Sequence, residues 1–150
     1  MKRATKVLLL AMIGAGVLGT IPSAAVAQAP MFCAPPHRLS IVELGMVPDP
    51  VRQGQRIQVW TVTLQSDYNG ECRTRLEVRD QDQIAGAQVE YLIRPGAGRY
   101  TFQAVPGYFF QRQNHCFLVR ANIGNTWTPV DAKKLFCANR GPGGWSLKQP

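Results

Sequence analysis

Residues 71–79 read ECRTRLEVR, in which Cys72, Thr74, Leu76 and Val78 alternate with Glu71, Arg73, Arg75, Glu77 and Arg79. A period of two, with one face apolar and the other charged, predicts a strand of an antiparallel sheet that has its back to a core and its front in water. The preceding segment differs. In RIQVWTVTLQ (56–65), Ile57, Val59 and Thr61 alternate with Gln58, Trp60 and Val62, so both faces are partly apolar and the segment reads as a central strand. SDYNGE (66–71) joins the two, and its Asn69-Gly70 is a dipeptide suited to a tight hairpin.

The same alternation continues in both directions. RLSIVELGM (38–46) predicts a first strand that ends at Pro48 and Pro50. Downstream, DQDQIAG turns the chain, AQVEYLIR (87–94) reads as a strand, PGAG (95–98) as a break, and RYTFQAV (99–105) as a strand with Tyr100 and Phe102 on one face. PGYFFQRQN is expected to be a loop. HCFLVRANI (115–123) and VDAKKLFCA (130–138) are the last two strands, joined through GNTWTP. Seven or eight short strands with turn signals between them and no convincing helical period point to an all-β antiparallel sandwich. Trp60 is expected in its core. The segment NRGPGGWSLKQP, with Trp145, reads as too rich in Gly and Pro to pack continuously, so 140–150 is expected to be a flexible tail.

The chain opens with Lys2, Arg3 and Lys6, then an apolar run from Val7 to Leu18, then small residues. This is the pattern of a secretory signal peptide over 1–29, with cleavage after Ala27 or Ala29, and it leaves a single domain over 30–139. The apolar run is short and interrupted by Gly, and no second one follows, so the mature chain is expected not to span a membrane. Phe32, immediately before Cys33, argues against lipid attachment there. Removing the leader takes three of 17 Lys+Arg and none of nine Asp+Glu, so the net charge falls from +8 to +5. The remaining cations are scattered rather than clustered, which reads as a solvated surface with a weak pull on anionic partners and not as a nucleic-acid groove.

Cys33, Cys72, Cys116 and Cys137 all lie in the exported part, and an even count in an oxidising compartment predicts two disulfides. If 115–123 and 130–138 pair with Ile123 opposite Val130, Cys116 faces Cys137 across a hairpin. Cys33, at the start of the first strand, then falls near Cys72. The favoured pairing is Cys33 with Cys72 and Cys116 with Cys137, although three connectivities are formally open.

The alternatives are weaker. Zinc is disfavoured because no C-x-x-C or H-x₃₋₅-H spacing occurs and His37 and His115 are the only histidines. A Cys-His nucleophile would need Cys116 reduced, and His115, its neighbour on a strand, points to the opposite face and is expected on the rim. Asp49, Asp80 and Asp82 are too few and too irregular for a calcium loop. No nucleophile elbow or phosphate-cradling loop is present. The expectation is therefore a protein that is not an enzyme and has no catalytic residues, no metal and no cofactor.

The stretch VPDPVRQGQRIQVWTVTLQSDYNGECRTRLEVRDQDQIAG, followed by YLIRPGAGRYTF, resembles the bacterial immunoglobulin-like domains called CARDB, or cell-adhesion-related, domains. The resemblance covers roughly residues 38–123 and rests on Pro and Gly turns of the kind such sandwiches use. It implies an immunoglobulin-like β-sandwich; the four cysteines and the lone domain depart from the pattern.

The functional expectation is a secreted or periplasmic binding or structural domain. Its partner would be an envelope or extracellular protein, or an anionic surface. Candidate contact residues are Tyr108, Phe109, Phe110 and Arg112 in the loop PGYFFQRQ (106–113), together with Trp127, because aromatics beside arginine are enriched at interface hot spots. In the opposing reading the rings fold back as loop anchors. An inhibitor of a secreted enzyme is the alternative, with a rigid scaffold presenting one loop, and a small hydrolase is a third.

Overall fold

The alternating segments become two packed sheets in the computed structural model, which describes residues 31–34, 37–86, 89–111, 115–122 and 130–148. The expected signal peptide, Arg112 and Trp127 lie outside the described residues. Among the described residues there are nine strands, where seven or eight were expected: β1 (Leu39–Val47), β2 (Val59–Ser66), β3 (Cys72–Asp80), β4 (Gln83–Ile84), β5 (Val89–Ile93), β6 (Gly96–Gln103), β7 (His115–Asn122), β8 (Val130–Gly141) and β9 (Gly144–Ser146). One sheet runs β1-β2-β6. The other runs β4-β3-β7-β8-β9, and β5 also pairs with β3. All strand pairs are antiparallel.

β2 is central, as its two partly apolar faces require. It pairs with β1 on one side, in a register broken by a bulge between Ile41 and Glu43, and with β6 on the other. The expected hairpin at Asn69-Gly70 does not form, because β2 and β3 belong to different sheets. The physical reason is burial. Trp60, Val62 and Leu64 of β2 and Leu76 and Val78 of β3 are all 0% exposed, and two such rows bury each other only from opposite sheets. Gly96–Gly98 belong to β6 and not to a break.

The core is held at one end by a run of aromatic rings. Trp60 packs edge-on against Phe117 at 4.8 Å between centroids, Phe117 lies 6.3 Å from Phe110, and Phe110 lies 5.1 Å from Trp145. Trp60 donates its indole N–H to the Ala85 carbonyl at 2.9 Å, which satisfies the one polar atom of a buried ring. Gly86 follows at a point where backbone nearly touches side chain: a Cβ there would stand 2.6 Å from the Phe102 ring. On the other side of the core, Tyr91 packs on Tyr100 and donates its hydroxyl to the Thr101 carbonyl, and burial pushes its phenol above the ordinary tyrosine range.

The expected flexible tail is corrected here. β8 continues to Gly141, turns at Pro142-Gly143 and returns as β9, whose Trp145 is buried and exchanges two backbone hydrogen bonds with Val51, both at 2.8 Å. The Gly residues that made this segment look disordered are what permit the turn. Gly144 has φ 131°, and a Cβ on it would stand 2.3 Å from the Val51 carbonyl oxygen. The burial of one large ring then outweighs the entropy of ordering a short glycine hairpin.

Candidate binding surfaces

Both disulfides form in the favoured pairing, Cys33–Cys72 and Cys116–Cys137, and no described cysteine is free. They sit in different surroundings. Cys33 and Cys72 belong to the core, whereas Cys116 and Cys137 lie opposite each other on the solvent side of the β7–β8 ladder, with Cys137 exposed. The register is the expected one from His115↔Ala138 through Ala121↔Ala132. It then shifts, so that Val130 faces Asn122, and Ile123 lies outside the described residues. His115-Cys116 is therefore one end of a staple: its sulfur is bonded and is no nucleophile.

The loop after β6 divides its aromatics. Tyr108 and Phe110 are 1% and 0% exposed, while Phe109 between them is 43% exposed. The first two are anchors, as the opposing sequence reading allowed. Tyr108 donates its hydroxyl to Asp80 Oδ2 at 3.0 Å, a buried bond that ties the loop to the end of β3. Phe110 joins the aromatic run.

The turn at 52–56 fixes the backbone of this loop from the side. Gly54 donates to the Phe110 carbonyl at 2.5 Å, Phe110 donates to the Gln55 carbonyl at 3.0 Å, and Gln53 Nε2 donates to the Gln111 carbonyl at 3.2 Å. Arg56 pairs with Phe109 in an isolated antiparallel bridge, so the exposed ring and an exposed cation stand side by side. Gly54 and Gly107 both carry positive φ, which these tight turns require. The result is a clamped loop with one aromatic ring held out in water.

A second surface, missed in the sequence reading as a site, is the outer face of the larger sheet. Strand register puts Arg73, Arg75, Glu77 and Arg79 of β3 beside Glu90 and Leu92 of β5 and beside Leu118 and Arg120 of β7; these in turn border Lys133 and Leu135 of β8. Glu77 is expected to be wet and is instead 1% exposed. Arg79 Nη1 contacts one of its carboxylate oxygens at 2.6 Å, and Arg120 Nη1 approaches the other at 3.7 Å. The two long side chains close over the shorter one, which keeps a buried carboxylate paired. Arg73 pairs with Glu90 at 3.1 Å and lies over the Phe32 ring.

Among the described residues no cluster of three His, Cys, Asp or Glu side chains is arranged to hold a metal ion. No helix among them is long and apolar enough to cross a membrane. Compared with protein-family models and with curated proteins, the chain matches none.

Proposed function

We propose that this protein is an exported, non-catalytic binding module, an immunoglobulin-like sandwich of the kind the CARDB resemblance implies, which contacts an envelope or extracellular partner through the loop 106–111. The observation that carries this reading is the exposure of Phe109. A single exposed apolar side chain is ordinary on a protein surface; Phe109 is distinguished by its aromatic ring, the Arg56 bridge beside it and its fixed backbone. Here its two aromatic neighbours are buried and its backbone is clamped, so the ring is already held in one place before any partner arrives. Such preorganisation lowers the entropy lost on association, and an adjacent arginine adds electrostatic steering. Two disulfides suit the oxidising compartment to which the leader-like N-terminus points.

The test is a pair of single variants of the mature protein. Phe109→Ala is expected to keep the wild-type circular dichroism and melting temperature and to lose retention on immobilised envelope fraction. Phe110→Ala is expected to lower stability by about 3 to 5 kcal/mol, because it opens a cavity beside Trp145 and Phe117. Retention of partner by a folded Phe109→Ala protein would move the contact elsewhere.

A further inference from the structure

The two disulfides differ in what surrounds them. Cys33 and Cys72 are 0% and 4% exposed and belong to the core. Cys116 and Cys137 face each other across the β7–β8 ladder on its solvent side, with Cys116 half-buried and Cys137 exposed. The ladder is continuous around them: His115 pairs with Ala138 on one side and Phe117 with Phe136 on the other. The sulfur bridge thus crosses two strands whose backbones are already paired, and opening it leaves that pairing in place. The next outward pair along the ladder is Leu118 opposite Leu135, and Leu135 is 58% exposed. Cys116 and these two leucines, with Asp80 and Gln81 at the end of β3, line an open concavity of about 350 Å³.

We infer that Cys116–Cys137 is a thiol–disulfide exchange site, at which this protein is the substrate of a partner protein carrying a reactive dithiol. A bonded sulfur is no nucleophile, but it is an electrophile, and attack on it needs a line of approach that a buried bridge lacks. The partner's thiolate attacks Cys137 Sγ, the more exposed sulfur of the two. The Sγ–Sγ bond breaks, its electron pair stays on Cys116 Sγ, and that sulfur takes a proton from water. The partner's second thiolate then attacks its own sulfur in the mixed disulfide, and Cys137 leaves and takes a second proton. The partner ends as a disulfide and this protein as a dithiol, two electrons and two protons richer. The leucine pair favours a protein over a small thiol: an apolar rim beside the bridge gives a protein surface something to cover while its thiol approaches, and a small thiol gains nothing from it. None of these residues belongs to the loop 106–111, so the site is independent of the function proposed above.

The experiment treats the oxidised mature protein at neutral pH, without denaturant, with dithiothreitol or with reduced thioredoxin as the dithiol protein; the thiols are then alkylated and mapped by peptide mass. Cys116 and Cys137 are expected to be reduced at least about 100-fold faster than Cys33 and Cys72, because a buried bridge is reached only when the core opens, and circular dichroism stays that of the oxidised protein. Thioredoxin is expected to outpace dithiothreitol about tenfold or more at equal dithiol concentration. Leu135→Ser is expected to slow thioredoxin about fivefold or more and to leave the dithiothreitol rate within about twofold, whereas Leu92→Ser, at an exposed leucine of β5, changes neither rate by more than about twofold. Reduction of all four cysteines at one rate would overturn the inference. So would thioredoxin no faster than dithiothreitol, or the same thioredoxin rate in both leucine variants. If Leu135→Ser is unfolded, the wild type decides: a thioredoxin lacking its second active-site cysteine must form a mixed disulfide on Cys137, and an adduct on Cys33 or Cys72 instead, or none at all, overturns the proposal.

Discussion

The outer face of β1, β2 and β6 is a field of threonine and glutamine around one ion pair, whereas the outer face of β5, β3, β7 and β8 is a grid of arginine with leucine and an exposed disulfide among it. Behind both lies the same interior of Trp60, Val62, Leu64, Leu76, Val78, Phe117 and Val119. The difference shows that the inward half of each strand's alternation specifies the sandwich, and that the outward half is free to differ. The outward charges add little to folding, since exposed ion pairs contribute at most about 1 kcal/mol each.

This contrast can be broken first within β3 itself. Leu76→Ala, on the inward side, is expected to lower the free energy of unfolding by about 2 to 5 kcal/mol in denaturant melts, while Arg75→Ala, the adjacent outward residue, changes it by about 0.5 kcal/mol or less. Similar costs would mean that the two sides of the strand are not distinct. Removal of the outer-face staple by Cys116→Ala with Cys137→Ala is expected to cost about 3 kcal/mol on the chain-entropy account. The backbone ladder of β7 and β8 survives that change, so the near-ultraviolet dichroism of the buried aromatics should be retained; its loss would show the staple to be part of the core.

A smaller effect sharpens the difference between the faces. Glu77→Ala is expected to cost about 1 to 3 kcal/mol, because a buried carboxylate with two arginine partners is removed and both partners are left. Glu43→Ala, on the opposite face at 63% side-chain exposure, is expected to cost about 0.5 kcal/mol or less. Smaller again is Thr61→Val, which breaks a hydroxyl contact with Thr101 at 3.2 Å and should stay within about 0.5 kcal/mol.

Much of this was legible in the chain. The period of two in 71–79, the mixed faces of 56–65 and the cysteine spacing led to a β-sandwich with the disulfide pairing observed, because side-chain alternation and hairpin register are local rules. Sheet membership was not legible. Asn69-Gly70 signals a turn, but whether the turn closes a hairpin or carries the chain to the other sheet depends on which long-range partners bury Trp60 and Leu76. Trp145 was misread for a similar reason: composition around it is that of a loose tail, and the groups that receive it, the Phe110 ring and the Val51 backbone, come from distant parts of the sequence. The loop aromatics were found as a group but not sorted, since burial of Tyr108 depends on Asp80 and burial of Phe110 on Trp145. Glu77 looked wet because Arg120, which helps cover it, stands on another strand.

The most direct measurement places a photoreactive benzoylphenylalanine at one position at a time in the mature protein and irradiates it with the envelope fraction. Position 109 reports on the clamped loop and position 101 on the threonine face. The account predicts discrete adducts from 109 and none from 101. Adducts from 101 with none from 109 would contradict it.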